Sequence, residues 1–163
     1  MKLDDVIWSN HLNPNEFPDG VLPYMSKKIV RAAVNLRGWS GVPMTPSPLF
    51  EAHVRAKPVK DRGARHNVGP DLNSPERESD GTDFFIPDNR VARMFKFATA
   101  SPEIGGVGFY FDTNPSTMVH IDSRPERVMW LRVAGEYIDY NVNPVKFLTV
   151  FAQEIKKLPG QVA

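Results

Sequence analysis

The stretch from Ala56 to Ser79 limits this chain's fold more than any other feature. It is rich in Pro, Gly, Asn, Asp and Arg and has no apolar periodicity, so it reads as one long surface loop rather than a helix or strand. Loops of that length in compact chains commonly carry function. Whatever packs must come from the flanking segments. Upstream, Ser26 to Arg37 has the spacing of a core-facing helix, with Ser26 as N-cap, Ile29, Val30, Ala33, Val34 and Leu36 mostly on one face, and Gly38 as the stop. The proline-rich run from Gly41 to Pro48 cannot continue that helix. A short strand is expected near Leu49 to Val54.

Downstream, Phe84 to Ile86 reads as a strand, and Asp88-Asn89 as the cap of a helix through about Ala98, with Val91, Met94, Phe95 and Ala98 at helical spacing. Gly105 to Phe111, Met118 to Ile121 and Val128 to Val133 read as three more strands, which suggests an antiparallel sheet. Asn143-Pro144 supplies a cap and a first-turn proline for a closing helix to about residue 157 or 158, with Val145, Leu148, Phe151, Ala152 and Ile155 as its stripe. The expected class is α+β, a small antiparallel sheet flanked by helices. With 163 residues the chain fits one domain, 1–163, made of an N-terminal segment 1–20, a body, and the closing helix 143–158 as an addition.

Composition narrows the function. Twenty basic against 19 acidic residues leave a formal charge of +1, so no overall field recruits nucleic acid or anionic lipid. The absence of cysteine excludes disulfides, thiolate ligands and cysteine nucleophiles, and leaves histidine and carboxylate as the metal ligands. The opening MKLDDVIWSN lacks the apolar run of a secretory signal, and no stretch approaches the roughly 20 apolar residues that span a bilayer. The expectation is cytoplasmic synthesis without membrane insertion.

Four patterns occur in an order with meaning. They are His11-Leu12-Asn13-Pro14-Asn15-Glu16-Phe17; Ala52-His53-Val54-Arg55; Ser74 to Phe84, within which Ser74, Gly81, Asp83 and Phe84 stand out; and Gly105-Gly106-Val107-Gly108-Phe109-Tyr110 followed by Met118-Val119-His120-Ile121-Asp122, Arg127 and Trp130. Together, from about Asn10 to Arg132, they resemble the zinc D-alanyl-D-alanine carboxypeptidase-like family, whose fold is shared with the hedgehog signalling domain and whose enzymes cleave peptide bonds in peptidoglycan. The resemblance implies a peptidoglycan stem peptide as partner, Arg55 and Ser74 on the substrate, Glu76, Asp83 and His120 on the metal, and His120 and Asp122 in catalysis. Action on the cell wall without a signal segment would need lysis or virion delivery.

Independently of that resemblance, His120 and Asp122 alternate with Val119 and Ile121, so on a strand both polar side chains share one face. A catalytic zinc needs about three protein ligands and an open position. Glu76 stands where the family has a histidine; its extra negative charge would lower the metal's Lewis acidity and slow hydrolysis. An oxygen-rich set of Glu76, Asp80, Asp83 and Asp122 would equally suit calcium or magnesium, and the acidic run could be no more than a solvated turn with no ion at all. Arg55 either clamps a carboxylate or pairs with a structural acid. His53 and His66 could replace the missing histidine, with the surface as their expected place, and His11 has a structural role. The glycines at 105, 106 and 108 precede no phosphate-facing helix and are expected to permit close approach or a bulge. Trp130 is expected in the core. A catalytically inactive binding or structural module, carried by a phage or prophage particle, is the second expectation.

Overall fold

The structure, a computed structural model, describes residues 12–59 and 65–160. Helix α1 (Lys27–Ser40) forms where the apolar spacing places it: Ser26 Oγ accepts from the Ile29 amide at 3.3 Å, and Gly41 closes the helix at φ +63°. Gly38, the expected stop, lies inside it. A helical glycine costs only about 1 kcal/mol relative to alanine, whereas the reversal needs a positive φ, and that falls on Gly41.

Strands β1 (Thr45–Pro46), β2 (Gly81–Phe85), β3 (Gly106–Tyr110), β4 (Met118–Asp122), β5 (Val128–Val133) and β6 (Glu136–Asp139) form one open sheet in the order β1-β2-β4-β3-β5-β6. With α1, α2 (Val91–Ala100) and α3 (Pro144–Lys157) the architecture is α+β. The sheet is mixed, correcting the all-antiparallel expectation: β3 and β5 run parallel. The link 123–127 carries the chain from β4 across the start of β3, so close that a Cβ on Gly105 would lie 1.8 Å from the Arg124 carbonyl oxygen. Only glycine lets the crossing pass there.

One face of the sheet is the core. Phe84, Val119, Ile121, Val107, Phe109 and Leu131 are buried there, by strand alternation, and α1 and α2 supply Ile29, Val30, Ala33, Val91, Met94 and Ala98. α3 adds Phe147, fully buried, and Phe151, whose ring centroid lies 4.5 Å from that of Phe95. The expected stripe on α3 is therefore rotated: Val145 and Leu148 are 74% and 50% exposed, because the aromatic cluster of Phe95 and Phe109 takes the phenylalanines instead.

Two local expectations differ. The segment near Leu49 to Val54 is a 3-10 turn (Phe50–Ala52) followed by an isolated parallel bridge between Arg55 and Asn67, not a strand. Asp88 does not cap α2, which begins after a 3-10 turn (Asp88–Arg90); its Oδ1 accepts from the Thr117 amide and hydroxyl at 2.9 and 2.8 Å. Among the described residues no helix is long and apolar enough to cross a membrane.

Candidate metal site

Strand register writes the site onto the other face of the sheet. Asp83 on β2 pairs with His120 on β4, His120 with Gly108 on β3, Gly108 with Trp130 on β5, and Trp130 with Asp139 on β6. Laterally paired residues point the same way, so this is one row across five strands. The neighbouring row runs Gly81, Asp122, Gly106, Val128. The glycines make room for the large members of each row. A Cβ on Gly108 would lie 2.3 Å from Trp130 Cε2, and one on Gly106 would lie 2.2 Å from an Asp122 carboxylate oxygen. Trp130 thus lies over the sheet with its ring centroid 5.1 Å from that of His120, half-buried rather than in the core.

The third contributor comes from the long loop. The Arg55 amide donates to the His66 carbonyl at 2.7 Å, the Val68 amide to the Arg55 carbonyl at 3.0 Å, and the Asp80 amide to the Arg65 carbonyl at 3.0 Å. These bonds hold His66 down on the sheet, 4% exposed. His66 Nε2 lies 3.1 Å from His120 Nδ1 and 3.6 Å from Asp83 Oδ1, and His120 Nδ1 lies 2.8 Å from Asp83 Oδ1. Two nitrogens and one oxygen on a tetrahedral ion with bonds of about 2.0–2.1 Å would be spaced by about 3.3–3.4 Å, so the three atoms are already near that spacing. His66 Nδ1 is buried with no hydrogen-bond partner. A cation on His66 Nε2 would leave the ring proton on Nδ1, so the fit of these residues to an ion rests on the spacing of the three converging atoms.

Electrostatics agree with this picture. Burial alone would raise the Asp83 carboxyl and lower the His120 imidazole; the hydrogen bonds and charges between them reverse both. Asp83 is held well below the usual carboxylate range, and His120 is raised to about 9 by Asp122 and Asp83. In the metal-free site the His120 Nδ1 proton thus sits where two further donor atoms converge. His66 is lowered by burial and stays neutral at pH 7.

Asp122 is fully buried and accepts four hydrogen bonds: His120 Nε2 at 3.0 Å, Arg124 Nε at 2.7 Å, Arg124 Nη2 at 2.5 Å and the Arg124 amide at 3.1 Å. It fixes the His120 ring so that Nδ1 faces Asp83 and His66, the usual arrangement behind a metal-binding histidine. Both oxygens are thus engaged, the carboxyl is held well below the usual range, and in this arrangement Asp122 orients the His120 ring.

The sequence-derived set is thus redistributed. Asp83, His120 and Arg55 line one cleft of about 460 Å3, with Tyr110, Trp130 and Tyr137. Glu76, expected as a ligand, is exposed, its amide bonded to the Val68 carbonyl; among the described residues the group able to share an ion is His66, Asp83 and His120. Asp80 is outside that group too, its Oδ1 near Ser123 Oγ. Ser74 is exposed in a turn closed by its amide and the Asp71 carbonyl, and does not line the cleft. The loop doubles back between Val68 and Arg77, which carries Ser74 and Glu76 outward and leaves His66 pointing in. His53 is buried, not at the surface; its ring nitrogens contact Thr82 Oγ1 at 2.7 Å and the Ser47 carbonyl at 2.8 Å, a satisfied core histidine. His11 lies outside the described residues.

Tyr110 is a member that sequence reading missed. Its hydroxyl accepts from Trp130 Nε1 at 3.1 Å and is also hydrogen-bonded with Tyr137, and burial raises its pKa, so it stays protonated at neutral pH beside the cleft. A larger and mostly apolar groove of about 890 Å3 lies at the β1 edge, but among the described residues Glu16 is the one titratable group lining it and that carboxylate is engaged by Arg37 at 2.6 Å. No family model matches the chain, and no curated protein or solved structure matches it either.

Proposed function

We propose that this chain is a zinc-dependent peptidase of the D-alanyl-D-alanine carboxypeptidase-like kind, hedgehog-type in fold, acting on peptidoglycan stem peptides. The observation that carries the reading is the convergence of His66 Nε2, Asp83 Oδ1 and His120 Nδ1 in a cleft that also holds Arg55. Two imidazoles and one carboxylate suit zinc better than calcium or magnesium, which favour all-oxygen sets. When bound, such an ion supplies Lewis-acid polarisation and an activated water at neutral pH. His66 takes the place the sequence left to Glu76, so the expected loss of Lewis acidity from a second carboxylate ligand does not arise.

The chain's own groups divide the remaining work. The Arg55 Nε is bonded to the Glu51 carbonyl at 2.8 Å, which fixes the guanidinium plane at the cleft, where it offers its fork to a peptide carboxylate. Asp122 holds the Nε2 proton of His120 and so keeps Nδ1 aimed at the ligand cluster. Trp130 packs beside His120 on the same face of the sheet and narrows that side of the cleft. The Tyr110 hydroxyl lines the same cleft and, on exchanging its bond with Tyr137, would donate to the oxygen of a polarised amide as negative charge develops on it.

Release of a terminal amino acid from muropeptides by zinc-loaded protein, lost in His66→Ala and Asp83→Asn, is the expected result. A second reading, a metal-holding but inactive module, is favoured by one observation: the acid that the sequence pairs with His120 is saturated by Arg124. Stoichiometric zinc without cleavage of any muropeptide would select it, and absence of zinc binding would refute both.

A further inference from the structure

The candidate ion ligands occupy one end of a row of side chains whose other end is also polar. Beyond Gly108 and Trp130 that row finishes on Asp139, and Tyr137 stands two residues before it on the same face of β6. Both line the cleft that holds Asp83 and His120. β6 lies past Arg132, where the family resemblance ends, so neither residue is assigned by it.

Most of the charged groups lining the cleft are tied to partners. Arg124 is bonded to Asp122 through Nε and Nη2, and Arg132 Nε to Asp112 at 2.8 Å. Asp83 belongs to the ion ligands. Arg55 remains at the ion's end of the cleft, and Asp139 remains on β6. The Asp139 Oδ1 accepts from the Asn141 amide at 2.7 Å, which fixes the carboxylate. Its Oδ2 has no hydrogen-bond partner among the described residues, and the residue is partly exposed on the cleft wall.

A cleft with a cation at one end and a carboxylate at the other complements a ligand of reversed polarity, its carboxylate at Arg55 and its ammonium at Asp139. In the order β4-β3-β5-β6, three strand spacings of about 4.8 Å separate His120 from Asp139 by roughly 14 Å. An extended peptide covers about 3.3 Å per residue and a lysine-length side chain reaches about 6 Å. An amine on the side chain about two residues ahead of a terminal carboxylate therefore comes close to that span.

We propose that Asp139 is an ammonium-binding subsite that selects peptides carrying a primary amine on the side chain about two residues before their C-terminus. Trp130, paired with Asp139 across β5 and β6, and Tyr137, 63% exposed, supply aromatic surface for the methylene stem of that side chain. The inference rests on the peptidase reading for the placement of the carboxylate, and adds the residue that chooses the side chain.

The test is isothermal titration calorimetry of the zinc-loaded full chain, repeated after chelator treatment so that turnover adds no heat. The ligands are Nα-acetyl-Lys-D-Ala-D-Ala and its Nε-acetylated counterpart at constant ionic strength, with release of D-alanine followed in parallel. The free amine should bind about tenfold more tightly than the acetylated one. Asp139→Asn keeps an oxygen for the Asn141 amide and removes the charge, and should bring the two peptides to within about twofold of each other. Equal affinity in the unsubstituted chain, a preference that survives in folded Asp139→Asn, or no binding of either peptide would overturn the subsite. Cleavage of both peptides with equal affinity would sink the subsite and keep the peptidase. A preference that depends on Asp139, without D-alanine release, would keep the subsite and sink the peptidase.

Discussion

Replacing Gly108 by alanine should destabilise the protein, and the cost should vanish when Trp130 is removed as well. The added Cβ would lie 2.3, 2.4 and 2.6 Å from Trp130 Cε2, Nε1 and Cζ2, against an ordinary contact of about 3.5–4 Å, so the indole must shift by roughly 1 Å or more. That shift forfeits the 3.1 Å hydrogen bond to the Tyr110 hydroxyl and the packing on His120. Overpacking of this kind costs about 1–3 kcal/mol and a lost hydrogen bond about 1 kcal/mol more, so a total of about 2–4 kcal/mol is expected. With a urea m-value of about 2 kcal/mol/M the unfolding midpoint falls by roughly 1–2 M. In a Trp130→Ala background the three nearest atoms are gone, and alanine's smaller backbone entropy loss should make the same substitution close to neutral. The readout is a double-mutant cycle by urea denaturation. Equal destabilisation in both backgrounds, or a midpoint shift below about 0.3 M for the single variant, would refute the claim that this glycine exists to seat the indole.

Equilibrium dialysis of chelator-stripped protein should find one zinc per chain, with affinity lowered more than about 100-fold by His66→Ala and unchanged by Glu76→Ala. Equal losses in the two variants would contradict the ligand set. Zinc at about 100 times its dissociation constant should add about 2.7 kcal/mol to stability, measurable as a rise in Tm that Asp83→Asn abolishes. In the metal-free protein, stability should peak near neutral pH. The raised His120 contributes fully below its unfolded pKa near 6.5 and loses that contribution as pH climbs through about 9. The lowered His53 and His66 act oppositely, since the unfolded chain gains their protons below about 6.5, and the depressed Asp83 and Asp122 lose theirs below about 4. His120→Gln should flatten the alkaline side of a urea-midpoint profile; an unchanged alkaline limb would place its origin elsewhere. Ser26→Ala should cost about 1 kcal/mol by the same assay, through loss of the bond to the Ile29 amide, and no effect would mean that the α1 cap is idle.

Local chemistry made much of this molecule legible. The start of α1 follows from a serine before an apolar stripe, the start of α3 from Asn143-Pro144, and the face shared by His120 and Asp122 from strand alternation alone. What escaped depends on contacts between distant segments. The parallel pairing of β3 and β5 follows from a chain crossing that only Gly105 permits, and the turn of α3 about its axis from phenylalanines that other elements supply. His66 is the sharpest case. Its flanking residues read as solvated loop, and nothing local distinguishes it from a surface histidine; its burial is decided by Arg55 and Asp80, whose amides bond to the carbonyls of His66 and Arg65.

That dependence has a consequence for how the site is assembled. Asp83 and His120 meet through sheet register, a property of the folded core, whereas His66 arrives through backbone hydrogen bonds at the two ends of a loop. Breaking the sheet removes everything, but loosening the loop removes His66 and leaves the Asp83–His120 pair on an intact sheet. Gly81 is where the two parts meet: a Cβ there would lie 3.0 Å from His120 Cε1, 3.1 Å from Arg65 Cβ and 3.2 Å from His66 Cε1. The loop can settle on the sheet at this point because β2 begins with a residue that has no side chain. The glycine therefore couples the candidate ligand on the loop to the one on the strand.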